Sequence, residues 1–227
     1  MFTSEYRYER KFSTRELSKF EIESIVKMHP ALFTEIFYQR NVNNIYFDTI
    51  NLDNYYDNIE GATDRMKVRV RWYDDLFGFV QKPVLEIKIK KGFLGKKISI
   101  PLPSFELQEN TKITDILNPV NNLQDSLRID FKSLKPSLLN RYSRNYYQSS
   151  NKRYRVTIDS DQSYYKINQL DNFFLNKIRD KDTVILELKY NQESDFGAND
   201  ITSKFPFRVT KSSKYVNGVQ KVLEVAH

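Results

Sequence analysis

Charged and bulky residues alternate along this chain in one stretch after another. In Lys67-Val68-Arg69-Val70-Arg71-Trp72 the period is two, which on a β-strand sets three cations on one face and Val68, Val70 and Trp72 on the other. The pattern recurs with Glu9 and Lys11 against Tyr8, Arg10 and Phe12, and with Glu86, Lys88 and Lys90 against Leu85, Ile87 and Ile89. It returns with Arg153, Arg155, Thr157 and Asp159 against Tyr154, Val156 and Ile158, and with Glu187 and Lys189 against Leu186, Leu188 and Tyr190. A single strand of this kind reads as half-exposed sheet with a solvated face. Five of them call for a common explanation, because three cations within about 14 Å of strand repel one another unless an anion lies opposite.

The remaining elements follow from the same pattern. Tyr6 to Phe12 reads as the first strand, and Ser13 with Glu16 has capping-box spacing for a helix running to Met28, ended by His29-Pro30. Strands are predicted at 41–48, 65–73, 84–90 and 96–102, with a polar passage through Gly61, a turn-like stretch at 74–82 and a hairpin around Gly92 and Gly95. Residues 104–139 mix polar residues with Ile113, Ile116, Leu117, Leu123, Leu127 and Ile129, which predicts covering helices. Strands return at 141–148, 153–159 and 183–190, and 192–199 reads as a mobile loop. Val216, Val219, Leu223 and Ala226 have helical spacing behind a cap at Ser212 or Ser213. No linker or tandem repeat interrupts the chain, so residues 1–227 are expected to form one domain.

Composition changes this picture in two respects. Phe and Tyr number 16 and 15 while Gly numbers only 6, which favours strands. The net charge of +7 makes a polyanionic partner the natural expectation. With no cysteine there are no disulfides or thiolate metal sites, which fits a reducing compartment. No apolar run approaches the ~20 residues of a membrane span, and the first residues do not read as a signal peptide, so a soluble, cytoplasmic protein is expected.

Strands with one apolar face bury it against helices. The expected fold is therefore α+β: a closed antiparallel β-barrel with a charged lumen, helices outside it, and the last helix at the tunnel. A cationic lumen needs carboxylates and bound anions to offset its repulsion. Every Glu-x-Lys in the chain lies in a predicted strand: Glu9 with Lys11, Glu86 with Lys88, Glu187 with Lys189. Carboxylates beside lysines let a divalent metal sit among phosphate oxygens, as phosphoryl transfer requires.

These residues resemble the triphosphate tunnel metalloenzyme (CYTH-like) superfamily, and within it the VTC domain, the catalytic domain of polyphosphate polymerases. The resemblance runs in order through Glu9-x-Lys11, Ile45-Tyr46-Phe47-Asp48-Thr49, Lys67-x-Arg69-x-Arg71-Trp72-Tyr73, Leu85-Glu86-x-Lys88 and Lys96-Lys97. It continues through Pro136, Tyr142-x-Arg144, Arg155-Val156-Thr157-Ile158-Asp159, Leu186-Glu187-x-Lys189 and Lys211-x-x-Lys214-Tyr215. It implies a basic tunnel in which ATP gives its terminal phosphoryl group to a growing polyphosphate chain with Mn²⁺ or Mg²⁺. It also implies catalytic roles for Lys11, Arg69, Arg71, Lys88, Arg144, Arg155 and Lys189. Phosphate binding would fall to Lys67, Lys90, Lys97, Lys211 and Lys214, and the metal to Glu187 above all, with Glu86 and Glu9.

Hydrolytic relatives typically open with Glu-x-Glu-x-Lys, whereas this chain reads Arg7-Tyr8-Glu9-Arg10-Lys11. Arg7 in place of a carboxylate removes a metal ligand and adds a phosphate ligand, which tilts the expectation toward a polymerase. The regulatory SPX domain and the membrane segments of eukaryotic polymerases are not in this sequence, so regulation and export would need partners. Alternation leaves Arg141 against Arg144, and Lys96 against Lys97, open. The rival readings are an inorganic or nucleoside triphosphatase with the same residues, and a non-catalytic polyphosphate- or RNA-binding module. Nucleic acid is not expected as the partner, since the cations are mixed with glutamates on strands rather than set in an aromatic-rich groove. His29 and His227 are expected at the surface without a catalytic role.

Overall fold

The computed structural model describes residues 7–92, 94–108, 111–123, 127, 129–167, 174 and 177–225. Tyr6, Ala226 and His227 lie outside the described residues. Among the described residues eleven strands carry the fold: β1 (Arg7–Thr14), β2 (Thr34–Asp48), β3 (Asp64–Tyr73), β4 (Gly78–Val80), β5 (Val84–Lys91), β6 (Leu94–Pro101), β7 (Phe105–Leu107), β8 (Lys135–Gln148), β9 (Tyr154–Lys166), β10 (Lys177–Asp180) and β11 (Val184–Asn191). Nine of them form one antiparallel sheet in the order β1-β11-β9-β8-β2-β3-β5-β6, with β10 added to β9; β4 and β7 pair separately.

The alternation predicted from sequence fixes the faces. Register places Lys11 opposite Glu187, Glu9 opposite Lys189, Lys189 opposite Arg155, Arg144 opposite Asp159, Arg69 opposite Glu86 and Lys88 opposite both Lys67 and Lys97. Directly opposed residues share a face, so these side chains line one continuous inner surface. The outer surface carries two apolar cores. One gathers Ile45, Val68, Val70, Trp72, Leu85 and Ile87 under the 3-10 helix Ile113–Leu123. The other gathers Phe12, Val156, Ile158, Leu186 and Leu188 under helix α1 (Lys19–Lys27) and helix α3 (Asp195–Thr202).

The sheet is not a closed barrel. Among the described residues β6 and β1 end the strand order without pairing. The physical reason lies on the free edge of β1, which is already occupied: Phe12 bridges Val209, and the Thr210 N–H donates to the Lys11 carbonyl at 2.7 Å. This segment leads into helix α4 (Lys214–Glu224) and fills the seam that β6 would need. Side chains span the gap instead, Lys88 Nζ standing 3.9 Å from Glu9 Oε2 and Lys67 Nζ donating to Ser213 Oγ at 2.9 Å.

Several local expectations are corrected. The first helix starts at Lys19, with the capping box on Ser18 and Glu21; Ser13 is strand, because β1 continues to Thr14 in register with β11. The polar passage before Gly61 contains helix α2 (Asp53–Glu60). Buried Asp48 organises it, its Oδ1 accepting from the Asn54 N–H at 2.9 Å and its Oδ2 from the Tyr55 N–H at 3.0 Å. Residues 192–199 are a 3-10 turn running into α3 rather than a loop. Arg10, outward on β1, holds α3 by donating to Asn199 Oδ1 at 2.7 Å and to Thr202 Oγ1 at 3.1 Å. His29 is buried, not on the surface: Nε2 lies 3.0 Å from the Ile201 carbonyl and Nδ1 accepts from the Ala31 N–H at 3.0 Å. It ties α1 to α3.

Helix α4 packs on the inner rather than the outer surface, burying Tyr215, Val219 and Val222 against Tyr46, Leu138 and Tyr164. Its Gly218 lies so close to the sheet that a Cβ would stand 2.5 Å from Leu138 Cδ2 and 2.5 Å from Tyr164 Cδ1. Gly218→Ala is therefore expected to lower stability by about 1–3 kcal/mol despite its better helix propensity, as urea unfolding would measure.

Candidate active site

Strand register decides the two open choices of the sequence. Arg144 lies on the inner face opposite Asp159, and Lys97 opposite Lys88. Arg141 stands opposite Asn43 and Lys96 opposite Ile89, both outward.

The inner face holds three groups of charge. At its centre Arg144 grips Asp159 through two bonds, Nε to Oδ1 at 2.5 Å and Nη2 to Oδ2 at 2.6 Å. Lys214 from α4 reaches Asp159 Oδ2 at 2.5 Å and Glu187 Oε1 at 3.5 Å, and Lys189 and Arg144 meet Glu187 Oε2 at 2.9 and 3.4 Å. All but Lys189 are buried. Burial alone would raise the carboxyl pKa values, but the lysines and Arg144 outweigh it and hold both Asp159 and Glu187 below the usual range. Lys214 is shifted the other way: burial pulls it down, while Asp159 and Glu187 bring it above an ordinary lysine.

On the β3-β5-β6 side the centre is Glu86. Arg69 donates to its Oε2 through Nε at 2.8 Å and Nη2 at 2.6 Å, Lys97 to Oε1 at 2.6 Å, and Arg71 stands 3.4 Å away. These cations overcome burial and hold the Glu86 carboxyl far below its ordinary pKa. Arg71 is aimed by neutral groups, Nε donating to Asn44 Oδ1 at 2.9 Å and Nη2 to the Tyr142 hydroxyl at 3.3 Å. Asn44 is fixed in turn through Nδ2 to Asn140 Oδ1 at 2.9 Å.

At the seam, Lys11 lies between two carboxylates, 3.2 Å from Glu9 Oε1 and 3.5 Å from Glu187 Oε1. Lys67 and Lys88 are the least compensated. Desolvation, then the charges of Lys11 and Lys88, push Lys67 down to about 7. Desolvation pushes Lys88 down to about 8, with Arg69 and Lys11 adding to it against the opposing pull of Glu9.

Arg155 lies on the same face but is exposed, opposite Lys189. Lys90 is half-buried near the β5-β6 hairpin, opposite Arg65 and Gly95. Lys211 is exposed before α4. From the sequence Tyr46, Tyr142 and Asp159 enter only as motif residues and Ser213 only as a helix cap, and none of them, nor Asn44 or Asn140, is assigned to the site. Asp159 had a signal, lying in period with Arg155 and Thr157; Ser213 had none, because its position depends on where α4 docks.

Of the three glutamates expected at a metal, Glu9 and Glu187 come together around Lys11, whereas Glu86 belongs to the separate arginine group. Glu187 already meets Lys11, Lys189, Lys214 and Arg144, so a Mg²⁺ or Mn²⁺ ion at this pair would take the place of a lysine, most simply Lys11, which both glutamates share, and complete its shell with phosphate oxygens and water. The saturated Glu86 does not fit that role.

The VTC domain model matches residues 6–223. The chain belongs to the VTC domain family. Searched against curated proteins, the VTC chain finds no match. Solved structures share its fold across nearly the whole length. One is a proposed adenylate cyclase from Vibrio parahaemolyticus, 8% identical with a TM-score of 0.52, covering 95% of this chain and 99% of that one. A proposed adenylyl cyclase from Hippeastrum, described as having dominant triphosphatase activity, is 12% identical with a TM-score of 0.51 and 96% of both chains covered. A third, a proposed adenylate cyclase from Bacillus halodurans, is 14% identical with a TM-score of 0.50, covering 94% of this chain and 96% of that one. At such identities the likeness is one of fold alone.

The lowered lysines give a pH prediction. The unfolded chain holds lysine protons to about pH 10.4, whereas folded Lys67 and Lys88 release them near 7 and 8. Between these limits the unfolded state binds more protons, so the ligand-free protein gains stability as pH rises from 7 toward 10. A phosphate anion reverses the shift and draws protons in. Tripolyphosphate affinity is therefore expected to fall from pH 7 to 9 with proton uptake, read by calorimetry in two buffers of different ionisation enthalpy. Lys67→Met should reduce that uptake.

Proposed function

We propose that this VTC domain is a metal-dependent polyphosphate polymerase, which transfers the γ-phosphoryl group of ATP to a growing polyphosphate chain along its inner face. The observation that carries the reading is the surplus of cations left once Glu9, Glu86, Asp159 and Glu187 are matched. It extends from Lys214 and Lys189 past Lys11, Lys67 and Lys88 to Arg69 and Lys97. Such a surface is in electrostatic deficit until an extended polyanion lies on it. Membership of the VTC family supports the polymerase within this chemistry.

In this reading Arg69 and Arg144 are already held rigid by Glu86 and Asp159, so they meet phosphate oxygens without reorganisation. Arg71, steered by Asn44 and Tyr142, orients the triphosphate. Lys67, Lys88, Lys189 and Arg155 take the developing charge and the acceptor chain, and Lys90, Lys97, Lys211 and Lys214 bind further phosphates. Glu9 and Glu187 would hold a Mg²⁺ or Mn²⁺ ion, which supplies charge neutralisation on the transferring group. A cytoplasmic location goes with the use of ATP. No helix among the described residues is long and apolar enough to cross a membrane.

The triphosphatase described for the Hippeastrum protein keeps hydrolysis as the second reading. Purified protein with ATP and Mn²⁺, with and without a short polyphosphate primer, separates the two: a lengthening ladder with ADP supports the polymerase, and free phosphate without a ladder the hydrolase. Metal-dependent binding without turnover would leave a binding module. Lys88→Ala is expected to lower turnover about 10²-fold with an unchanged or raised melting temperature, because it removes an under-compensated cation. Glu187→Gln should erase the ladder; since it also disturbs the buried cluster, its circular dichroism is read alongside.

A further inference from the structure

The outer surface carries a feature that the tunnel chemistry does not use. Along β8 the outward residues run Leu139, Arg141, Ser143, Asn145, Tyr147, apolar at both ends and polar between them. Neighbouring strands break at the same level, β2 with Asn43 between Ile45 and the strand's exposed part, and β9 with Ser163 between Tyr165 and Ile158. This polar band separates the two outer cores. A β-bulge lies on it, where Arg141 pairs with Ser163 but Ser143 with Ser160. The one extra residue falls in the Asp161-Gln162 stretch, where Asp161 has φ 51°. Bulges of this kind re-aim side chains next to binding sites.

A pocket of about 280 Å³ opens at the bulge, walled by Arg141, Ser163, Lys177, Arg179 and Lys181, with Asp161 as its one carboxylate. Arg141 and Arg179 flank Ser163 from the strands on either side, so both guanidiniums project from the same level of one face. No ion pair involves Arg141, Arg179 or Lys181 among the described residues. Four cations line this concave polar site with one carboxylate, Lys177 lying over the Tyr165 ring, and like charges gathered there repel one another in the free protein. A phosphoanion relieves that repulsion, and arginine forks match its oxygens two at a time.

We propose that this pocket is a second anion site, outside the tunnel face, which takes a compact phosphoanion bearing adjacent negative charges: free pyrophosphate or the phosphate tail of a nucleotide. The site is bounded by the β8-β9-β10 surface and by Asp161, which suits a short ligand rather than a long polyanion. The proposal is independent of the reading of the inner face.

The test is a titration of ¹⁵N-labelled full-length protein with pyrophosphate, and separately with ADP, at 0.15 M salt. The amides of Lys177 to Asp180 report on this pocket and those of Lys11 and Lys189 on the inner face, so the two sites fail or succeed separately. Saturable shifts at β10 with either ligand are expected, and comparing the two ligands tells inorganic from nucleotide phosphate. Arg141→Ala with Arg179→Ala should weaken binding about tenfold or more. Arg141→Lys, which keeps the charge but loses the fork, should weaken it several-fold. Asp161→Asn, tolerated at this backbone conformation, should tighten it. Silent β10 amides, shifts that grow without saturating, or an affinity indifferent to Arg141→Lys would overturn the proposal.

Discussion

The buried contact of Lys214 with Asp159 and Glu187 is the constraint on which the rest of this molecule depends. It joins the last helix to two central strands, and through Arg144 to a third. Withdrawing ions from water costs several kcal/mol each, and an ion pair offsets this only when its hydrogen bonds are complete. Here Asp159 receives both prongs of Arg144 as well as the ammonium, so the cluster is nearly self-satisfied. Removing any one member would leave a charge buried without its partner. The arrangement accordingly specifies one docking position for α4, and Gly218 permits the helix to reach it.

That docking position determines the shape of the sheet. With α4 on the inner surface, the segment before it runs along the free edge of β1, and β6 has no partner with which to close a barrel. The seam is bridged by flexible lysines rather than by a backbone ladder. A hydrogen-bonded seam would be rigid; a seam of side chains can exchange its partners for phosphate oxygens. Stability comes instead from the outer surface, where aromatic and branched residues fill two cores, and this burial offsets the repulsion on the inner face.

Period-two alternation made the two-faced sheet legible in the sequence, because register conserves face: Lys11, Arg69, Lys88, Arg155 and Glu187 all fall on the inner side as their spacing requires. Arg141 and Arg144 were ambiguous because they have opposite parity on β8 and residues 140–148 carry polar and aromatic side chains at both parities, so only pairing with Ser163 and Asp159 decides which faces inward. Helix α2 was missed because its start is capped from a distance, by Asp48, rather than by a residue at the cap position. Closure of the barrel was over-read for another reason. A charged inner face predicts curvature, but closure depends on which segment reaches a strand edge first, and that is a tertiary contact with no local signature. His29 likewise reads as a surface residue until α3, far along the chain, supplies the carbonyl it meets.

The two basic clusters differ in a way that bears on what each can bind. On the inner face each of Glu9, Glu86, Asp159 and Glu187 has cation partners, and those cations extend over several strands, so the surface suits a long ligand. Among the described residues the cations of the outer pocket have no acidic ion-pair partner, and Asp161 is the one carboxylate in its lining. A small concavity with two arginines and one carboxylate suits a short anion rather than a long one. Charge alone does not discriminate between the two sites, since both are basic. What distinguishes them is whether the cations are pre-organised by carboxylates along an extended face or left unpaired around a small concavity.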